Sequence, residues 1–135
     1  MLFCNNLNQN GSDELKRRFL PGACDGSLIC GMCMSEPHAG TDVLNMSTTA
    51  VPSADGSHFI LNGTKMWITN GTIDGTDTGD AFFVYAKTSQ GHSPKDMSAF
   101  LVEKGMPGFS LGQKIVGKLG ECTRGGRGVV ACICD

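Results

Sequence analysis

From Leu28 onward the chain is a row of short apolar runs broken by glycine, proline, asparagine and aspartate, and that rhythm restricts it to a β fold. Leu28, Cys30, Met32 and Met34 alternate with Ile29, Gly31, Cys33 and Ser35, so both faces of this first strand are largely apolar, as in a strand covered on both sides. Residues 43–51 read as a second strand, stopped by Pro52. Phe59-Ile60-Leu61 and Met66-Trp67-Ile68 flank Asn62-Gly63, which predicts a hairpin turn at that dipeptide. Residues 71–80 are almost wholly Gly, Thr and Asp and read as a loop. Two more strands follow at 81–87 and 98–103, joined by a polar segment with Gly91 and Pro94. Met106-Pro107-Gly108 is a turn before a weaker strand at 109–116. The 19 glycines suit many turns. The expected fold is mainly β, a small antiparallel barrel or sandwich of short strands, preceded by one short α-helix.

That helix lies in residues 1–27. Ser12 is the predicted N-cap, Asp13 and Glu14 fill the first turn, and Lys16, Arg17 and Arg18 come later, an order that suits the helix dipole. Pro21-Gly22 is the predicted stop. Leu15 and Phe19 form a short apolar stripe that needs a packing partner.

A chain of 135 residues fits one domain with a modest core. A net charge of -2 with interspersed signs gives no basic footprint, which sets nucleic acid aside as a partner. No apolar run approaches the roughly 20 residues of a bilayer span. The N-terminus shows no signal or transit pattern. Seven cysteines, an odd count placed mostly in apolar stretches, point to a reducing compartment. Cys30-Gly31-Met32-Cys33 is a CxxC, with Cys132 and Cys134 downstream. A zinc or redox site is the weaker reading, because C-x-C spacing suits zinc poorly and a redox CxxC normally opens a helix, not a strand. No metal is expected.

Two stretches can carry chemistry. In Ser35–Asp42, the small residues Ala39, Gly40 and Thr41 let a ligand approach the backbone, and Ser35 and Thr41 add hydroxyls. The plain alternative is a strand-to-loop turn with capping side chains. In Lys65-Met66-Trp67-Ile68-Thr69-Asn70, residues 67 and 69 share a strand face about 6.5–7 Å apart, so an indole can pack on one end of a fused ring system while a hydroxyl reaches its middle. The plain alternative is a core tryptophan beside a half-exposed threonine.

Taken together, Met34-Ser35-Glu36-Pro37-His38-Ala39-Gly40-Thr41-Asp42 and Lys65–Asn70 resemble the flavin-binding signature of acyl-CoA dehydrogenases. The resemblance runs from about Asn8 to Gly120. Phe59–Gly63, Val84–Thr88, Phe100–Phe109 and Lys118–Gly120 look most like the isovaleryl-CoA dehydrogenase branch. It implies three segments: the end of an N-terminal helical domain (1–27), an FAD-binding middle β domain (28–120), and a tail departing from the family (121–135). It implies FAD as cofactor, held at its pyrimidine end by Met32, Cys33, Met34 and Ser35, with Gly40 and Thr41 nearby. Trp67 and Ile68 would lie along the isoalloxazine and Thr69 near flavin N5. Thr41, Pro94 and Lys95 would face the acyl-CoA.

The implied activity is oxidation of the Cα–Cβ bond of a short branched acyl-CoA. Electron-transfer flavoprotein would be the acceptor, and a homotetramer in the mitochondrial matrix the setting. In the family the proton-abstracting carboxylate comes from a helical domain after the β domain, so no catalytic residue is assigned here; Glu36 and Asp42 are expected to be structural or capping groups. The match ends abruptly after Gly120, as a shifted reading frame or a spliced fragment would make it. The loop at 71–80 looks longer than usual. Gly125-Gly126-Arg127-Gly128 reads as a flexible turn before a short apolar strand. An incomplete barrel with an unpaired edge, and a helix stripe without a partner, predict marginal stability or self-association. The rival expectation is a non-catalytic β module that binds flavin or acyl-CoA, or an inactive remnant.

Overall fold

Two helices lead the chain where the sequence predicts one. A computed structural model describes residues 2–72, 76–115 and 126–133, and in it α1 spans Leu2–Asn10 and α2 spans Asp13–Asp25. Helix α1 has no acidic residue in its first turn and no basic residue in its last. It is held by burial of Phe3 and Leu7, so tertiary packing makes it, not local signals. Helix α2 starts as predicted: Ser12 Oγ accepts from Leu15 N at 3.3 Å, with Asp13 and Glu14 behind it. Its end does not follow the prediction. The helix runs through Pro21 and stops at Gly26, whose φ of 85° is the left-handed cap and whose N–H reaches Gly22 O. A proline in a helix interior forfeits a hydrogen bond. Here Phe19, Leu20 and Ala23, on either side of Pro21, pack into a core with Phe3, Leu7 and Phe83, and that burial outweighs the loss.

Seven strands follow among the described residues: β1 (Cys30–Cys33), β2 (Thr49–Pro52), β3 (Phe59–Thr72), β4 (Ala81–Lys87), β5 (Met97–Glu103), β6 (Phe109–Ile115) and β7 (Gly126–Ile133). They form one sheet in the order β1-β4-β2-β3-β7-β6, with β5 also on β4. Most pairs are antiparallel, as expected, and two are parallel: β1 pairs β4, Cys30 opposite Ala81 through Cys33 opposite Val84, and β2 touches β4 at Thr49 and Lys87. The β2–β3 hairpin lies between β1 and β4 in the chain and serves as the crossover that a parallel pair needs.

Two local predictions also fail for physical reasons. Residues 43–45 form one turn of 3-10 helix, and β2 starts only at Thr49; an apolar run this short is ambiguous by periodicity alone. Asn62-Gly63 is not a turn at all. Strand β3 passes straight through it for 14 residues. The glycine answers a close approach: a Cβ there would stand 2.2 Å from Thr48 Oγ1 and 2.7 Å from Thr48 Cα. The β2–β3 turn is made instead at Asp55-Gly56, where Gly56 has φ 69° and Ser53 N donates to His58 O at 2.9 Å. The Asp55 carboxylate accepts from Ser53 Oγ (2.6 Å) and Ser57 N (3.1 Å).

Strand β4 is the centre of the molecule. Phe82, Val84 and Ala86 face one core with Cys33, Ala50, Leu61, Ile68 and Val102. Ala81 and Phe83 face a second with Phe3, Leu7 and Phe19. The α2 stripe therefore has its partner, in α1 and the back of β4. Each buried phenylalanine is worth roughly 1.5–3 kcal/mol against exposure. Arg18 Nη2 joins Glu103 Oε2 on β5 at 2.5 Å and ties α2 to the sheet rim. Strand β7, from the tail, lies between β3 and β6 and pairs both, so neither side of that gap is an open edge. Residues 73–75 of the predicted loop, Val116 and residues 118–125 lie outside the described residues.

Candidate functional site

Strand β3 is irregular where the second motif sits. Trp67 (φ 59°) and Asn70 (φ 63°) are left-handed. The register of β3 on β7 slips at the same places, between Lys65 and Ile68 and between Ile68 and Thr72. Each is a bulge that bends the strand and re-aims its side chains. The left-handed region costs a non-glycine residue about 1–2 kcal/mol. Asn70 recovers part of this by donating Nδ2 to Cys30 O at 3.1 Å. Gly31 makes room on β1, since a Cβ there would come within 2.9 Å of Thr69 O. The outcome is β3 bent against β1, with Ile68 buried between exposed Trp67 and Thr69.

The bend opens a cleft of about 400 Å³. Six of the predicted residues line it: Met32, Met34, Ser35, Trp67, Ile68 and Thr69. Trp67 is 42% exposed, an unusual state for the largest aromatic in a small domain. Among the described residues, no protein group hydrogen-bonds the hydroxyl of Ser35 or Thr69. The cleft therefore offers a flat apolar surface with two open hydroxyls.

Four predicted positions lie outside the cleft, as does the Cys33 side chain. Cys33 points into the sheet core with Ile68 and Phe82. Gly40 and Thr41 are exposed in the loop after Ala39. Pro94 and Lys95 belong to an exposed 3-10 turn between β4 and β5, where Lys95 N donates to Ser93 Oγ at 3.3 Å. Sequence reasoning missed Leu2 and Phe3 of α1, together with Cys30, Gly31 and Asn70. Only Asn70, a residue type that tolerates left-handed backbone inside an apparent strand, left a readable trace. No lining residue is a carboxylate. Burial, then Asp80 and Cys4 nearby, push the Cys30 thiol up to about 11, so it stays protonated at neutral pH. Cys30 and Cys33, three residues apart on a strand, stand about 10 Å apart, beyond the reach of a disulfide.

Beneath the cleft the two motifs are stitched together. Ser35 O accepts from Met66 N at 2.9 Å. Lys65 Nζ donates to Met34 O at 3.0 Å and to Glu36 Oε1 at 2.9 Å. Glu36 and Lys65 are both 0% exposed. Glu36 Oε2 also accepts from Ser47 N (2.6 Å) and Ser47 Oγ (2.8 Å), and Oε1 from Thr48 N (2.9 Å) and the Thr48 hydroxyl. Burial alone would raise the Glu36 carboxyl; hydrogen bonds from Thr48, Ser47 and Lys65 overcome this and hold it down at about 2. Glu36 is thus a structural anion, as the sequence leads one to expect. Its partner was legible in principle, since a lysine inside an apolar strand needs an anion and the first motif holds one.

The middle-domain model of acyl-CoA dehydrogenases matches residues 31–125. The chain is 45% identical over 116 residues to a mitochondrial isovaleryl-CoA dehydrogenase of Pongo abelii, covering 84% of this chain and 26% of that protein. It is also 45% identical over 105 residues to an L-prolyl-[peptidyl-carrier protein] dehydrogenase of Serratia, covering 78% of this chain and 25% of that one. A solved structure described as the FAD complex of PigA superposes with a TM-score of 0.82 at 37% identity, over 96% of this chain and 31% of that one. The chain spans about a quarter of the length of the curated relatives it matches. A strand-rich fold, a cleft walled by both motifs and these matches lead to one conclusion: the chain belongs to the acyl-CoA dehydrogenase family, and residues 31–125 match that family's middle domain.

Proposed function

We propose that this chain supplies the FAD-binding wall of a dehydrogenase that oxidises the Cα–Cβ bond of a short branched acyl-CoA. The observation that carries the reading is the junction of the two motifs at one cleft, with an exposed indole and two unpartnered hydroxyls on its surface. A planar tricyclic ring with polar edges fits that donor set. Trp67 would pack along the ring and Thr69 would hydrogen-bond it. Ser35 and the backbone around Met32–Met34 would hold its polar edge. When bound, the flavin supplies the hydride acceptor.

The chain's own residues orient and shield; none of the cleft's lining residues can act as the proton-abstracting base. We assign the base to a group outside this cleft and expect the chain alone to bind flavin without turnover. Thr41, Pro94 and Lys95, all outside the cleft, are assigned to the acyl-CoA side. Equal identity to an isovaleryl-CoA and a carrier-protein dehydrogenase supports a reading in which the acyl group is set elsewhere in the whole protein. The similarity to mitochondrial enzymes supports a mitochondrial address; an electron-transfer flavoprotein as acceptor and a tetrameric whole protein are proposed on the family resemblance.

The test is a titration of the purified chain with FAD, read by quenching of its single tryptophan. Saturable quenching of Trp67, weakened in Thr69→Val, is the expected result, and flavin fluorescence should show weaker binding in Trp67→Ala. A chain that leaves FAD free at high concentration sinks the reading. Isovaleryl-CoA is expected to leave the bound flavin's colour unchanged in this chain; bleaching would place a base within it.

A further inference from the structure

The cleft's two walls come from segments about thirty positions apart, and a single buried ion pair joins them from below. We propose that Glu36 and Lys65 are positioning residues: their pair, locked against Ser47 and Thr48, sets the Met34-Ser35 wall relative to the Trp67 wall and so sets the fit of a planar ligand between them. This rests on the flavin reading above, although the placement of Trp67 can be measured without flavin.

The connectivity points this way. Lys65 stands two residues before Trp67, and its ammonium bonds the Met34 carbonyl, one residue before Ser35. One side chain thus reaches from the indole wall to the hydroxyl wall. Glu36 fixes that ammonium and is itself fixed from the far side by the backbone and hydroxyls of residues 47 and 48. A solvated pair would leave many arrangements open. A desolvated, fully bonded one has a single low-energy geometry. The chain of contacts extends to Gly63, because Thr48 sits where a side chain at position 63 would have to go. Gly63, Thr48, Glu36 and Lys65 form a stack that ends at the root of the Trp67 bulge.

A pair that merely stabilises the fold is replaceable by apolar or neutral isosteres; a positioning pair is not. The experiment compares Lys65→Met, Glu36→Gln, the double variant, Lys65→Arg, Gly63→Ala and the mild Ser47→Ala. Fold is followed by circular dichroism and melting. Placement is followed by the emission maximum and acrylamide quenching of Trp67 in the flavin-free chain, and ligand fit by FAD affinity and the absorbance fine structure of bound flavin. Folded Lys65→Met and Gly63→Ala are expected to shift Trp67 emission and quenching and to weaken FAD binding about tenfold. Lys65→Arg recovers part of both. The double variant regains melting temperature relative to the single variants but keeps the altered Trp67 signature. Variants that melt earlier yet keep wild-type Trp67 emission and quenching overturn the proposal. If Lys65→Met does not fold, Ser47→Ala decides: a partial shift of Trp67 supports it, and an unchanged signal overturns it. A wild-type chain that fails to bind FAD removes the flavin reading alone, since the Trp67 signals in flavin-free protein still judge the placement.

Discussion

Strands β3 and β4 are near neighbours in the sheet and opposite in character. β4 is regular, apolar on both faces, and pairs β5 from Ala81–Glu103 to Lys87–Met97 without a slip. β3 is twice as long, bulged twice and left-handed at two non-glycine residues. β4 buries Phe82 and Phe83; β3 holds its tryptophan out. The contrast separates two tasks within one sheet. A regular strand maximises contact and gives a stable centre. A bulged strand gives up ladder bonds and accepts backbone strain to turn particular side chains toward a cleft.

The comparison breaks first at Phe82. Phe82→Ala should cost about 3–5 kcal/mol, read as a large fall in melting temperature. Trp67→Ala should cost far less stability while weakening FAD binding, read by the fluorescence of the flavin itself. If the two variants melt alike, β3 and β4 share the structural burden and the division of labour is wrong.

A second test uses acid. The Glu36 carboxyl is held at about 2, against about 4.5 for a free side chain. A depressed carboxyl contributes stability above the unfolded value and loses it as pH falls toward the folded value. Stability should therefore decline between about pH 5 and pH 2, by roughly 3 kcal/mol. Glu36→Gln should be less stable at neutral pH and flatter across that window. An acid limb that is identical in the variant would show that other carboxylates control it.

The smallest effect lies at Asn70. Ala and Gly both remove the bond to Cys30 O, but only Gly accepts the left-handed backbone. Asn70→Ala should be less stable than Asn70→Gly by about 1 kcal/mol, measured by denaturant midpoint. Equal stabilities would mean that the bulge relaxes when its side chain is cut.

Legibility followed the range of the forces involved. Ala81–Lys87 was readable because a strand buried on both sides is apolar on both faces, as Ala81 through Val84 are. The start of α2 was readable because a cap is a local hydrogen bond between Ser12 and Leu15. Asn62-Gly63 misled because the same dipeptide serves a turn or a close contact, and the contact is with Thr48, far off in sequence. Pro21 misled because local cost was outweighed by burial of Phe19 against α1 and β4. Helix α1 had no local signature at all. For the site, every residue role was assigned by resemblance; Met32, Met34, Ser35, Trp67, Ile68 and Thr69 meet at one cleft, whereas the loop positions Gly40, Thr41, Pro94 and Lys95 lie away from it.

The sequence by itself determined a mainly β family domain and the residue types of its two motifs. Only the tertiary structure decided that Glu36 meets Lys65, that β3 bulges at Trp67 and Asn70, and that α1 forms part of the cleft wall. The reason is physical. Periodicity and capping are set by near neighbours along the chain, while a buried charge, a close glycine contact and a bent strand are each set by a partner that only folding brings near.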